Sequence, residues 1–243
     1  MTQVSVKHLW KEYETQVVLE NVNLHVGDHE FVTIVGASGC GKTTFLRMLL
    51  GMESPTRGEF LIDGEPLPQE PGPDRGIVFQ RYSLFPHLTV LGNLLLGLEL
   101  QGAPLLGRLR GARRRAALEK AEHLLEAVGL AASRRKYPAQ LSGGMQQRLS
   151  IAQSVICEPK ILLLDEPFGA LDPGITGDMH ELILKLWNMN KMTIFMVTHD
   201  LKESFYLGTR LLVFDKVRTD SQAPERYGAT ITYDIPLKGR RAL

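Results

Sequence analysis

Phe31-Val32-Thr33-Ile34-Val35-Gly36-Ala37-Ser38-Gly39-Cys40-Gly41-Lys42-Thr43-Thr44 passes from an apolar run into a cluster of glycines, then a lysine and two threonines. The apolar run bounded by glycine predicts a buried strand over Phe31 to Val35, and Thr43 to Leu50 reads as a helix stopped by Gly51. A glycine-rich loop ending in Gly-Lys-Thr, set between a strand and a helix, is the pattern of a phosphate-binding loop. Glycines let the backbone curl until its N–H groups converge on phosphate oxygens, and the helix start behind them adds the positive end of its dipole. Gly36, Ala37, Ser38, Gly39, Cys40, Gly41, Lys42, Thr43 and Thr44 are thus the expected contacts to ATP. Lys42 supplies a point charge for the β- and γ-phosphates, and the Thr43 hydroxyl is a ligand for Mg²⁺.

Two further apolar runs, Ile161 to Leu164 and Thr193 to Val197, read as buried parallel strands. The first ends in Asp165-Glu166, and parallel strands carry their C-terminal ends to the edge where the loop after Val35 also sits. An acidic pair after a strand is ordinarily only a solvated turn. Beside a phosphate loop it gains two roles, with Asp165 anchoring Mg²⁺ and Glu166 polarising the attacking water. Val4 to Leu9 and Val17 to Val26, with a turn at Gly27-Asp28, predict an antiparallel flap, and Ala229 to Ile235 one late strand. Between Gln80 and Pro159 the texture is helical, most clearly at Ala112 to Val128 and Met145 to Ile156. The expected architecture is α/β: one domain over 1–243, with a nucleotide-binding core and antiparallel β flap from 1–82 and 159–243, and a helical subdomain at 83–158.

Bulk composition narrows the partners. With 243 residues, 44% hydrophobic and 23% charged, the chain has ordinary globular make-up, and a net charge of +1 gives no field favouring nucleic acid or an anionic membrane. The arginines at 108, 110, 113, 114 and 115 stand beside Glu119 and Glu122, which reads as a solvated helix face. The most apolar segment, Leu88 to Leu100, is interrupted by Gly92, Asn93, Gly97 and Glu99. It falls short of the roughly 20 residues of a spanning helix. Met1 to Glu14 carries Lys7, Lys11, Glu12 and Glu14 and does not read as a secretory signal. Cys40 and Cys157 are expected to be free thiols in a reducing compartment.

Leu141-Ser142-Gly143-Gly144-Met145-Gln146-Gln147-Arg148 offers a second anion-ready helix start, with Ser142 as the cap of a helix beginning near Met145. This octet resembles the signature motif of ATP-binding cassette proteins, and it stands in the family's order between the two nucleotide motifs, so the likeness covers nearly the whole chain. The resemblance implies a head-to-tail dimer of two copies, in which Ser142, Gly143, Gly144 and Gln146 reach the ATP held by the partner. It further implies that Gln80, after the strand-like Gly76 to Phe79, touches Mg²⁺ and the attacking water, so the metal set is Thr43, Gln80 and Asp165. Asp172 in Ala170-Leu171-Asp172 looks like the family's D-loop, His199 like the histidine that contacts the γ-phosphate, and Tyr13 like the aromatic that stacks on adenine. Glu166, His199 and Gln80 are the catalytic set so implied.

The same resemblance implies permease subunits docking near Arg81 to Thr89, an external solute-binding protein, and a place on the cytoplasmic face of the membrane held through the permease. Asp165 to Asp172 and Thr198 to Ser204 are similar to importer cassettes of the nitrate, sulfonate and taurine group, and Tyr227 to Asp234 to those for urea-type nitrogen compounds. The alternative is a non-transport cassette acting on DNA or ribosomes. Such proteins need a long coiled-coil insertion or two cassettes in one chain, and sustained heptads are absent. Asp200 and Glu203 have the spacing of a capping box just behind His199.

Overall fold

The computed structural model describes residues 2–79, 83–102, 107–169, 172–223 and 225–237. The chain opens with strands β1 (Val4–Tyr13) and β2 (Gln16–Val26), then β3 (Phe31–Gly36) and helix α1 (Lys42–Leu50). Strands β4 (Arg57–Ile62), β5 (Glu65–Pro66) and β6 (Arg75–Val78) follow, and then helices α2 (Val90–Gly102), α3 (Gly111–Ala127) and α4 (Gly143–Val155). The remainder alternates as β7 (Ile161–Asp165), α5 (Pro173–Asn190), β8 (Thr193–Val197), α6 (Leu201–Leu207) and β9 (Arg210–Asp215), and ends with β10 (Thr230–Pro236).

Two sheets result. The antiparallel one has the order β2-β1-β4-β5, the expected flap, and the six-stranded one the order β10-β9-β3-β8-β7-β6. Within the larger sheet β9, β3, β8, β7 and β6 run parallel, and β10 lies antiparallel on the edge. Strand β1 runs on to Tyr13, beyond the Leu9 expected, because Lys11, Glu12 and Tyr13 still pair with β2 after bulged positions. The bulges break the strict alternation that marks a strand in sequence.

The continuous apolar runs have a geometric cause. Leu162 and Leu164 of β7 pack into the core shared with α4 and α5, while Ile161 and Leu163 pack into the core shared with α1 and the antiparallel sheet. Both faces of the strand are covered, so no position is left for a polar residue. The strands also end in one row: Ile34 pairs with Val197, and Val197 with Asp165. The residues that follow β8 and β7 therefore emerge at the same edge as the loop after β3, next to it on one side.

Helix α2 contains the segment expected to be too interrupted to span a bilayer, and among the described residues no helix is long and apolar enough to cross one. The interruption has a function in the fold. Asn93 is fully buried, its side-chain amide donates to the carbonyls of Phe85, Leu88 and Thr89, and its oxygen accepts from the Phe85 N–H at 2.8 Å.

Helix α4 starts two residues earlier than expected, at Gly143, with the Ser142 hydroxyl accepting from the Met145 N–H at 3.4 Å. The capping box at α6 does not close. Asp200 caps Lys202 N at 2.7 Å, but Glu203 takes the Thr198 hydroxyl at 2.6 Å, and that hydroxyl oxygen in turn accepts the Asp200 N–H. The buried Thr198 supplies a nearer partner for both groups.

Candidate functional site

The loop between β3 and α1 forms one wall of a cleft of about 590 Å³, which Tyr13, Gln16 and Val18 bound on one side and Glu166 and His199 on the other. Gly36, Ser38, Gly39, Gly41, Lys42, Thr43 and Thr44 line it, so most of the expected phosphate contacts face one cavity. Gly41 is one loop position that favours glycine. Its φ is 98°, and a β-carbon there would stand 2.8 Å from Leu19 and 2.9 Å from Val18. This close approach of loop to β2 brings the flap against the site.

Lys42 is 8% exposed, and its ammonium donates to the carbonyls of Gly36 and Ala37 at 2.8 Å each, which fixes the charge inside the loop's curl. Cys40 is buried beneath, its sulfur 3.9 Å from that nitrogen. The Thr43 hydroxyl lies 3.3 Å from Asp165 Oδ1, so two of the expected metal ligands meet. Burial, with the neighbouring Glu166 charge adding to it, raises the Asp165 carboxyl above its ordinary range, partly offset by the Thr43 hydrogen bond. A cation bound there would remove that penalty.

Among the described residues no cluster of three or more histidine, cysteine or acidic groups could hold a metal. That suits Mg²⁺, which keeps several waters and takes one or two protein oxygens together with phosphate oxygens. The residues present fit the ion.

Glu166 departs from ordinary backbone geometry. Its φ is 46°, left-handed for a residue with a side chain, and such conformations store about 1–3 kcal/mol at functional positions. Its N–H is held by the Val197 carbonyl at 3.0 Å and the carbonyl of the next residue, Pro167, by the Gln147 amide at 2.6 Å. The strained turn is therefore pinned from both sides. His199 Nδ1 stands 3.6 Å from Glu166 Oε2, too long for a hydrogen bond, and its ring is largely exposed to the cleft. Behind it Thr198 and Glu203 fix the loop, and His180 faces Glu203 at 3.6 Å while stacking edge-on against Phe168.

Tyr13 is held by two neighbours. Its hydroxyl donates to Glu53, and the Lys11 ammonium lies 4.8 Å from the ring centre. Burial raises the Tyr13 hydroxyl above its usual value and the Glu53 carboxylate adds to that; burial would raise Glu53 too, but the Tyr13 hydroxyl, Lys11 and Arg47 together hold it below the carboxylate range.

The signature residues stand apart from this cleft. Ser142 and Gly143 are exposed, whereas Gly144 is buried against α5, where a β-carbon would come within 3.2 Å of Ile175. Gln146 turns back to donate to the Leu141 carbonyl at 3.1 Å. Asp172 is exposed at the start of α5. Gln80, Arg81 and Tyr82 lie outside the described residues, as do Ala170 and Leu171. Sequence reasoning missed Gln16, Val18, Glu53 and Gln147. Of these only Gln147, inside the signature octet, carried a local signal.

A lysine fixed within a glycine loop, facing two strand-end carboxylates, defines a phosphate-loop nucleoside triphosphatase. Residues 19–169 match the family profile described as ABC transporter, and the chain belongs to that family. It is 42% identical over 220 residues to the nitrate import ATP-binding protein NrtD of Synechocystis, covering 90% of this chain and 77% of that one. It is 38% identical over 207 residues to the aliphatic sulfonates import ATP-binding protein SsuB of Bacillus anthracis, covering 85% and 77%. Among solved structures, the dimeric post-hydrolysis state of the ATP-binding cassette MJ0796 bound to ADP and Pi superposes with a TM-score of 0.76 at 30% identity, covering 97% of this chain and 99% of that one. The chain is accordingly an ATPase subunit that binds and hydrolyses ATP.

Proposed function

We propose that this ATPase works as a pair of copies that powers import of a small polar solute, nitrate- or sulfonate-like, through a separate permease on the cytoplasmic face of the membrane. The observation that carries the catalytic assignment is the convergence of Lys42, Thr43, Asp165, Glu166 and His199 on one cleft. The loop amides and Lys42 bind and neutralise the triphosphate, Thr43 and Asp165 hold Mg²⁺, and Glu166 takes the proton of the attacking water. When bound, the cation would neutralise part of the triphosphate charge. His199 orients Glu166 and the terminal phosphate, and Tyr13 stacks on adenine. Gln80 completes the metal and water contacts.

Ser142 and Gly143, exposed at the head of α4, would meet a second copy's nucleotide with the Gly144 N–H behind them, and the exposed Asp172 would face the same copy. Residues 1–82 and 159–243 then act as the nucleotide-binding core and 83–158 as the helical lobe. The turn at Ser83 to Thr89, pinned by Asn93 and presenting a partly exposed Phe85, is the described part of the permease-docking segment. A solute-binding protein outside the membrane completes the system, and nucleic acid has no part in it.

Glu166→Gln tests the chemistry. Turnover should fall by about 10²–10⁴-fold while ATP binding persists and dimers accumulate, because a proton acceptor is lost and no phosphate contact is. Unchanged steady-state hydrolysis in that variant would overturn the assignment. Uptake of labelled nitrate or a sulfonate with the cognate permease tests the solute class.

A further inference from the structure

Gln147 is 1% exposed, and its amide nitrogen donates to the Pro167 carbonyl at 2.6 Å. Pro167 follows Glu166, whose own N–H is held by Val197 and whose φ is 46°. A carbonyl oxygen accepts only, so the amide must face it with nitrogen, and Gln147 Oε1 is then left buried with no partner among the described residues. An unpaired buried oxygen is a poor bargain for stability alone, and a reason for it must lie elsewhere. Gln147 sits on α4 just over one turn beyond the Ser142 cap, and that helix start lies close to α5, where a β-carbon on Gly144 would stand 3.2 Å from Ile175. One rigid helix thus carries Ser142 at its exposed tip and grips the glutamate turn from its flank.

We infer that Gln147 is a positioning residue for Glu166, so that each chain's signature helix is tied to its own glutamate and not to the one whose nucleotide it covers. The inference rests on the paired arrangement proposed above, in which Ser142 serves the partner's ATP. Its consequence is that a nucleotide gripped by Ser142 in one site sets the glutamate of the other.

Mixed dimers separate this from a purely structural role. Two differently tagged full chains are co-expressed, one with Glu166 intact and one carrying Glu166→Gln, so that a single site turns over. Gln147→Met in the chain with intact Glu166 should lower kcat about tenfold or more with KM for ATP nearly unchanged, because a misplaced catalytic group costs rate and not binding. The same substitution in the Glu166→Gln chain, whose Ser142 covers the live site, should leave turnover within about twofold. Gln147→Asn, which keeps an amide but shortens its reach, should give the same pattern and serves if Gln147→Met does not fold. Equal loss in both arrangements, or loss only in the Glu166→Gln chain, would overturn the inference. Undiminished turnover of the mixed dimer when Ser142→Ala is placed in the Glu166→Gln chain would instead overturn the paired arrangement on which the inference rests.

Discussion

Tyr13 is 41% exposed, so packing alone does not fix its ring. Glu53 does, through the tyrosine hydroxyl, and is itself held by Lys11 and Arg47 at 3.5 Å each. Glu53→Ala should therefore raise KM for ATP several-fold, about 1 kcal/mol of lost preorganisation, and leave kcat close to wild type, as steady-state kinetics would show. Glu166 makes the opposite trade. Its left-handed backbone is tolerated by glycine, so Glu166→Gly should be neutral or stabilising by up to about 1 kcal/mol in urea unfolding while removing turnover. Glu166 was legible from the sequence because it ends an apolar run beside its partner acid. Glu53 was not, since its tie to Tyr13 spans 40 residues and arises only when β1 and the end of α1 meet.

Helices and strands were legible in proportion to how uniform their surroundings are. β7 and β8, covered on both faces, read directly as apolar runs, and the phosphate loop followed from spacing. Asn93 shows the limit. In sequence it interrupts an apolar stretch, and only the folded turn at Phe85 to Thr89 reveals the carbonyls that it satisfies. Asn93→Leu should leave those groups unpaired and cost about 3 kcal/mol in urea unfolding. If the turn docks a permease, the same variant should depress solute uptake more than the ATPase of the isolated subunit. The capping box behind His199 was misread for a related reason. Spacing identified Asp200 and Glu203, but the competitor, the Thr198 hydroxyl, belongs to the strand end and not to the helix pattern.

The two sheets and the far end of β7 are joined by Asp63, which accepts from the Gln3 N–H at 2.8 Å and from Lys160 Nζ at 3.1 Å. The Gln3 N–H is the main cause that lowers the Asp63 carboxyl below its ordinary range, with Lys160 assisting against the effect of burial. A carboxyl depressed in the folded state adds stability that is complete above its unfolded value of about 4 and is lost as pH falls through the folded one. Asp63→Asn should thus lower stability at neutral pH, by no more than about 1 kcal/mol for so accessible a pair. The gap between variant and wild type in urea unfolding should close as pH drops below about 4.

The common row in which β3, β7 and β8 finish sets what lengths the chain can take. Removing or adding one residue inside any of the three would turn its side chains over, sending core groups to the wrong face, and would drag Asp165 or the glycine loop out of line by roughly 3.3 Å. Such indels are barred. Growth and shrinkage are left to stretches away from that row, where extra residues can accumulate without moving any group that faces phosphate.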